Sequence, residues 1–336
     1  MTGSQLNPEL DLLVLGDCNP DVLVLGGDVT PEFGQQEKLV STISLVVGGS
    51  AAITAIAAAR LGLRVALAAT IGADPAGDFM LGQLSAAGVD TAHVRVLPGE
   101  ATGMTVALSR GADRAIITAT GAMAALTAGD VPSDLIRRAG HVHVSSYFLL
   151  EQSLGPGLAG LLADARAGGA TTSLDTNWDP AGRWGGGQLR AALAHTDLLL
   201  PNEAEARHLS GEPTLRGAIV ALTGMGPRVV VKLGASGALS AAGGELHRIE
   251  PRAVDTAVVD TTVVDTTVVD TTGAGDCFNA GLIAGLLGGL DLPAAARLGC
   301  AVGTASTRAA GGTAAAPSLA AALELAESVD VRPGWQ

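Results

Sequence analysis

Short runs rich in Val and Leu alternate along this chain with longer Ala-rich segments, usually with Gly, Asp or Asn between them. DLLVLGD (11–17), RVALAATIG (64–72), HVHVSS (141–146), TTSLDTN (171–177), TDLLLPN (196–202) and RVVVKLG (228–234) predict strands. Their apolar character is nearly continuous, the pattern of a sheet covered on both faces. Residues 51–63, 76–89, 154–169 and 202–211 predict helices between them, several stopped by Gly. The alternation specifies an α/β fold: a doubly wound, mostly parallel central sheet flanked by helices. A chain of 336 residues can form one such domain throughout. Only 2% of it is aromatic, so the core must be built from Ala, Val and Leu, with helices in close approach.

Three stretches depart from the pattern. Residues 22–46 and about 94–118 show β-type alternation without long helices. They predict a small β lid, because ligands of such folds bind beyond the strand C-termini; an edge extension of the main sheet is the plainer alternative. Residues 254–272 repeat the pentad VVDTT, placing Asp255, Asp260, Asp265 and Asp270 in one phase. Strand side chains alternate with period two, so a five-residue step turns every side chain to the other face. Only the last copy can lead in register into the glycine-rich turn at 273–275. The earlier copies read as a tandem expansion, since no geometry makes four such aspartates converge on a cation.

The net charge of −13 argues against nucleic acid or an anionic membrane as partner. Cys18, Cys277 and Cys300 form no CxxC pair, which fits a reducing, cytoplasmic setting and no zinc site. The N-terminal residues show no signal-peptide pattern. The longest apolar run, Ala280–Leu290, is too short to span a bilayer.

DTTGAGDCFNAGLIAGLL (270–287) carries the chemistry. Small residues at Gly273, Ala274 and Gly275 let the backbone turn sharply and present consecutive N–H groups at a helix start. That is an anion cradle suited to phosphate. An acid at a helix start is often only a cap. With a phosphate on those amides, however, Asp276 can accept the proton of an attacking hydroxyl. Phosphoryl transfer asks for little more than an in-line nucleophile, a base and charge stabilisation.

This segment resembles the C-terminal signature of the ribokinase-like (PfkB) carbohydrate kinases, and the likeness extends over nearly the whole chain. GDCNPDVLV (16–24) resembles the family's N-terminal sugar-side strand. VVGGSAAITAIAAARLG (46–62) resembles its Gly-Gly signature, PNEAEARHLSG (201–211) its N-x-x-E segment, and VVVKLGASGAL (229–239) its nucleotide-side strand and turn. The resemblance implies ATP-dependent phosphorylation of a hydroxymethyl group on a small sugar or sugar derivative. Asp276 would be the catalytic base, and Gly273, Ala274 and Gly275 the anion hole. Asn202 and Glu205 would lie by the phosphates and Mg²⁺, with Glu205 acting through water. Lys232, Gly234 and Gly237 would lie on the nucleotide side. Asn19, Asp21, Gly48, Gly49 and Asn177 would face the sugar. Asp270 and the Thr272 carbonyl would match a monovalent-cation site, filled by K⁺. Exposed lid edges could pair across a homodimer, with a monomer as the alternative.

Ile53 stands where ribokinase-type members carry a sugar-contacting Asn, which predicts an apolar wall in the substrate pocket. That leaves a nucleoside kinase of the same fold as an alternative. A non-catalytic sugar- or nucleotide-binding protein is a third reading. A dinucleotide-binding dehydrogenase is not supported, because no GxGxxG follows the first strand.

Deleting Val258–Thr267 removes two pentads and preserves strand parity. The shortened protein is expected to keep its phosphoryl-transfer activity in an ADP-release assay. A folded but inactive product would assign the extra copies a role.

Overall fold

The computed structural model describes residues 9–110, 113–251 and 268–334. The repeat copies bearing Asp255, Asp260 and Asp265 lie outside the described residues. The main sheet contains β1 (Leu10–Leu15), β4 (Val65–Gly72), β5 (Val94–Leu97), β8 (Ala139–Val144), β9 (Thr171–Leu174), β10 (Leu198–Leu199), β11 (Arg228–Lys232), β12 (Ala238–Ala242), β13 (Glu245–Pro251) and β14 (Val329–Pro333). Their spatial order is β14-β13-β12-β11-β10-β9-β8-β1-β4-β5. The strands from β5 through β11 run parallel, and β12 to β14 add an antiparallel flank.

Period two explains why these strands are apolar throughout. Leu12 and Val14 of β1 join a core on one face with Leu67, Leu198 and Val230. Leu13 and Leu15 join a second core on the other face with Ala66, Val142 and Leu199. The Ala274–Leu287 and Leu292–Ser306 helices cover the first face and meet through small residues. A Cβ built on Gly281 would lie 2.7 Å from Val302 Cγ2, and one on Gly299 would lie 2.9 Å from the Phe278 carbonyl. No helix among the described residues is long and apolar enough to cross a membrane.

A separate, smaller sheet combines β2 (Asn19–Leu25), β3 (Thr42–Gly48), β6 (Met104–Arg110) and β7 (Asp113–Ala119) in the order β3-β2-β6-β7. It is the lid-like element. Two boundaries differ from expectation. Val94–Leu97 pairs with β4 as the edge of the main sheet, so 94–118 divides between both sheets. The small sheet begins already at Asn19, so Asn19 and Asp21 belong to it and not to the end of the first main strand.

The first core has one polar seam. In register with Leu12 and Val14, strand β8 carries His141 and His143. Both are buried and bonded to the neighbouring strand: His141 Nδ1 to Thr171 Oγ1 at 2.7 Å, His141 Nε2 to Ser173 Oγ at 2.7 Å, His143 Nδ1 to the same Ser173 Oγ at 2.7 Å. Ser145 Oγ closes the line on His143 Nε2 at 2.9 Å. Burial holds His141 down at about 3 and His143 at about 4. Because these folded values lie below the ordinary 6.5, the unfolded chain binds more protons as pH falls, and stability is lost from pH 6.5 downward. Asp21, Glu205 and Asp276, raised to about 7, act in the opposite sense over the same window. Replacing His143 by Gln is therefore expected to remove about 2 kcal/mol of the acid destabilisation between pH 6.5 and 5. Urea midpoints at the two pH values test this; parallel pH dependences in wild type and variant would refute it.

Candidate active site

Five strand ends converge at one edge of the parallel sheet, where such folds bind ligands. Asp17 follows β1, Ser145 and Ser146 follow β8, and Asp175 to Asn177 follow β9. Asn202 follows β10, and Lys232 ends β11.

Lys232 is the centre of the group. Its side chain is 13% exposed and its ammonium meets the Asp175 carboxylate, itself 3% exposed. Asn279, one turn into the Ala274–Leu287 helix, donates from Nδ2 to Asp175 Oδ2 at 2.6 Å and offers Oδ1 to Lys232 at 3.4 Å. Burial works against the Lys232 charge, but Asp175 and Glu205 more than offset it, so its pKa is raised. Glu205 is pushed up to about 7, first by burial and then by Asp175. It also closes a capping box with Asn202: Asn202 N donates to Glu205 Oε2 at 2.8 Å, and Glu205 N to Asn202 Oδ1 at 2.9 Å.

The glycine turn lies beside this group. Gly273 begins the Ala274–Leu287 helix at φ 71°, with no side chain capping the first-turn amides. A Cβ there would lie 2.6 Å from Gly312 Cα, so only glycine fits both the backbone angle and the space. A Cβ on Gly275 would lie 3.6 Å from Lys232 Nζ, so this amide stretch looks onto the buried cation. Asp276 is raised to about 7 by burial and then by Asp175, with Lys232 opposing. The Ser50 hydroxyl hydrogen-bonds Asp276 and accepts from Asn177 Nδ2 at 2.6 Å, linking the proposed base to the proposed sugar side.

On that sugar side, Asn19 Nδ2 donates to Asp21 Oδ1 at 3.1 Å and to Thr105 Oγ1 at 3.3 Å. Asp21 sits directly over Gly48, where any Cβ would collide with the carboxylate. Its pKa rises to about 7 through burial and the nearby Asp17. Gly49, at φ 75°, brings its Cα hydrogen toward the Asp17 carbonyl and Asn19 Oδ1. Asn177 adopts φ 55°, and its Oδ1 is buried with no hydrogen-bond partner, as is Thr176 Oγ1. Unpaired buried polar atoms clustered at one edge mark where a polar ligand would supply the missing bonds.

Asp270 anchors the turn. Its Oδ1 accepts from Thr272 N at 3.0 Å and Thr272 Oγ1 at 2.9 Å, and its Oδ2 accepts from Gly311 N at 2.9 Å. Gly234 is open, with nothing within 4 Å of a built Cβ, while Gly237 faces the Ile249 carbonyl and serves the hairpin itself.

Ile53 packs against the glycine turn. Its Cδ1 would stand 3.0 Å from a Cβ on Gly273 and 2.9 Å from one on Gly312, and it is 2% exposed. It props the glycine turn from behind. Sequence reasoning also missed Asp17, whose carboxylate accepts from Ala51 N at 3.0 Å and Ser50 N at 3.1 Å. Arg114 was missed as well: its charge acts on Asp21 and its guanidinium donates to Thr272 Oγ1 at 3.3 Å. Both Asp17 and Asp175 are acids ending buried strands, a position that demands a partner and could have been flagged.

Residues 10–319 match the family model described as pfkB family carbohydrate kinase. The chain belongs to the PfkB family of carbohydrate kinases. It is 28% identical to a ribokinase of Haemophilus influenzae over 94% of this chain and 98% of that protein. It is 30% identical to a 2-dehydro-3-deoxygluconokinase of Bacillus subtilis over 83% of this chain and 86% of that one. Among solved structures, a putative ribokinase II from E. coli in complex with ATP and Mg²⁺ superposes with TM-score 0.79 at 25% identity, covering 95% of this chain and 99% of that one. As a PfkB-family enzyme, the protein is a phosphotransferase with an alcohol acceptor.

Lys232→Met leaves Asp175 buried without its cation. We expect a loss of about 3 kcal/mol in unfolding free energy. Adding Asp175→Asn should restore part of it. A double variant no more stable than Lys232→Met alone would refute the pairing as the cause.

Proposed function

We propose that the protein transfers the γ-phosphoryl group of ATP to a hydroxymethyl group of a small sugar or sugar derivative, with Asp276 as general base. The supporting observation is the placement of Asp276. It stands in the first turn of a helix with no side-chain cap, near Lys232, with its pKa raised to about 7. A base poised near working pH combines the correct protonation state with driving force for proton transfer. The amides of Gly273, Ala274 and Gly275 would take the negative charge of the transferred group. The Asn177–Ser50–Asp276 line would aim the acceptor hydroxyl at the carboxylate.

Asn202 and Glu205, with Lys232, would stand beside the phosphates. Among the described residues, no group of three or more His, Cys, Asp or Glu converges to hold a metal ion directly. The site instead suits a hydrated Mg²⁺ carried by phosphate oxygens, as that cation prefers. Bound there, it would neutralise phosphate charge against the acids Asp175, Glu205 and Asp276. Asp270 keeps three of its lone-pair positions on amide and hydroxyl donors, leaving little beyond the Thr272 carbonyl for K⁺.

Asn19 and Asp21 offer an amide and a carboxylate to hydroxyls, which fits a polyol. A nucleoside kinase of the same fold is the alternative, because Ile53, packed against Gly273 and Gly312, would add an apolar surface beside the anion hole. A coupled ADP-release screen over sugars, sugar acids and nucleosides tests the substrate class; turnover with nucleosides alone would overturn it.

Asp276→Asn is expected to lower kcat by roughly two to four decades while leaving nucleotide affinity nearly unchanged. In wild type the acid limb of kcat/KM should fall through a midpoint near 7, the raised value of Asp276. Near-normal turnover in the variant would remove Asp276 from this role.

A further inference from the structure

At the opposite, amino-terminal edge of the sheet, a surface pocket of about 290 Å³ lies between Arg166 and Arg228, with Thr171, Thr196 and Asp197 in its wall. Arg166 is neutralised by Asp197, Nε to Oδ1 at 3.3 Å, and that acid is further held by Thr172 N at 2.9 Å and Thr172 Oγ1 at 3.0 Å. Among the described residues, Arg228 has no carboxylate partner. Half-buried, its guanidinium bonds only the Asp197 carbonyl, at 3.5 Å, and among the described residues it forms no ion pair. The pocket thus carries one uncompensated positive charge on a chain of net charge −13. A half-buried cation of this kind is stabilised by an anion, and a guanidinium presents paired donors that match phosphate.

Thr171 joins this pocket to the catalytic edge. Its hydroxyl is the outer member of the line Thr171–His141–Ser173–His143–Ser145, and Ser145 follows Val144, whose carbonyl accepts from the Asp175 amide at 2.8 Å. Ser173 Oγ lies between two imidazoles with one proton, and leaving that buried proton unpaired is costly, so it donates to one ring and accepts from the other. Each neutral ring likewise donates through one nitrogen and accepts through the other. The line therefore has two internally consistent polarities, and all four bonds reverse together. An anion accepting the Thr171 proton selects one of them. Thr171 then accepts from His141 Nδ1, Ser173 donates to His141 Nε2, His143 Nδ1 donates to Ser173, and Ser145 donates to His143 Nε2. In that polarity the Ser145 proton points away from the catalytic edge.

We propose that the Arg166–Arg228 pocket binds a phosphate-type dianion and that the histidine–serine line transmits its presence to Ser145, beside Asp175. A two-state element biased from one end is the physical requirement for such coupling. The binding and the coupling are both independent of the reaction assigned to the other edge.

The test is ¹⁵N NMR of the histidine rings during titration with inorganic phosphate, repeated with methyl phosphate to compare a free dianion with a monoester end. Saturable shifts of both His141 and His143 are expected in wild type. Arg228→Gln should weaken binding about tenfold or more, the effect of losing a charge-assisted bond. Arg166→Gln, on a more exposed arginine, serves should the first variant fold poorly, and several-fold weakening is expected. Ser173→Ala should keep the His141 response and lose that of His143. An undiminished His141 response in both arginine variants would overturn the site. A His143 response that persists in Ser173→Ala, or appears without His141, would place the phosphate at the catalytic edge and overturn the coupling.

Discussion

The buried pair between Lys232 and Asp175 holds the catalytic edge together. Through Asn279 it ties the ends of β9 and β11 to the Ala274–Leu287 helix. One ammonium stands among Asp175, Glu205 and Asp276, so the charge that serves stability would also act on the proposed base. It opposes the rise of Asp276 that burial and Asp175 cause. A buried ion pair alone is weak evidence of stabilisation, because desolvation offsets its attraction. Here the remaining lone pairs and protons are largely satisfied by amide groups, which is the condition under which such a pair holds.

Smallness is the second constraint. Gly273 meets Gly312 with Ile53 behind it, and Gly281 and Gly299 let the two covering helices touch nearly backbone to backbone. A chain with so few aromatic residues fills its core by close approach of thin elements rather than by large side chains. The same absence of Cβ atoms leaves the helix-start amides reachable. The exception is local: Phe148, Trp178, Trp184 and His208 form one edge-to-face and stacked cluster, with Trp184 and His208 parallel within 12°. It binds the loop after Asn177 to the helix that starts at Asn202.

Much of this was legible in the sequence. Continuous apolar runs gave the parallel strands, because burial on both faces leaves no polar alternate positions. The Asn202–Glu205 spacing fits a capping box as well as the phosphate-side role that the resemblance implied, and the lysine ending the apolar run 228–232, expected on the nucleotide side, meets Asp175 within the chain. Long-range pairing was not legible. Val94–Leu97 shows the same local pattern whether it edges one sheet or the other, and Ile53 reveals its neighbour only once Gly312 is in place. Arg114 reaches Thr272 across 158 residues, beyond any spacing rule. His141 and His143 were within reach: two positions apart in a strand, they had to share a face.

The anchoring of the glycine turn has a consequence for the history of this chain. Asp270 grips Thr272 and Gly311, and the Val269 and Asp270 amides bond the Thr307 carbonyl at 2.8 and 3.3 Å. These ties lie at or after Val269, and Ile53 and Arg114 add support from elements far upstream, so among the described residues the turn is held by partners outside the repeat. Slippage during copying of a repetitive gene segment upstream could then add or remove coding units while selection on the turn stayed blind to them.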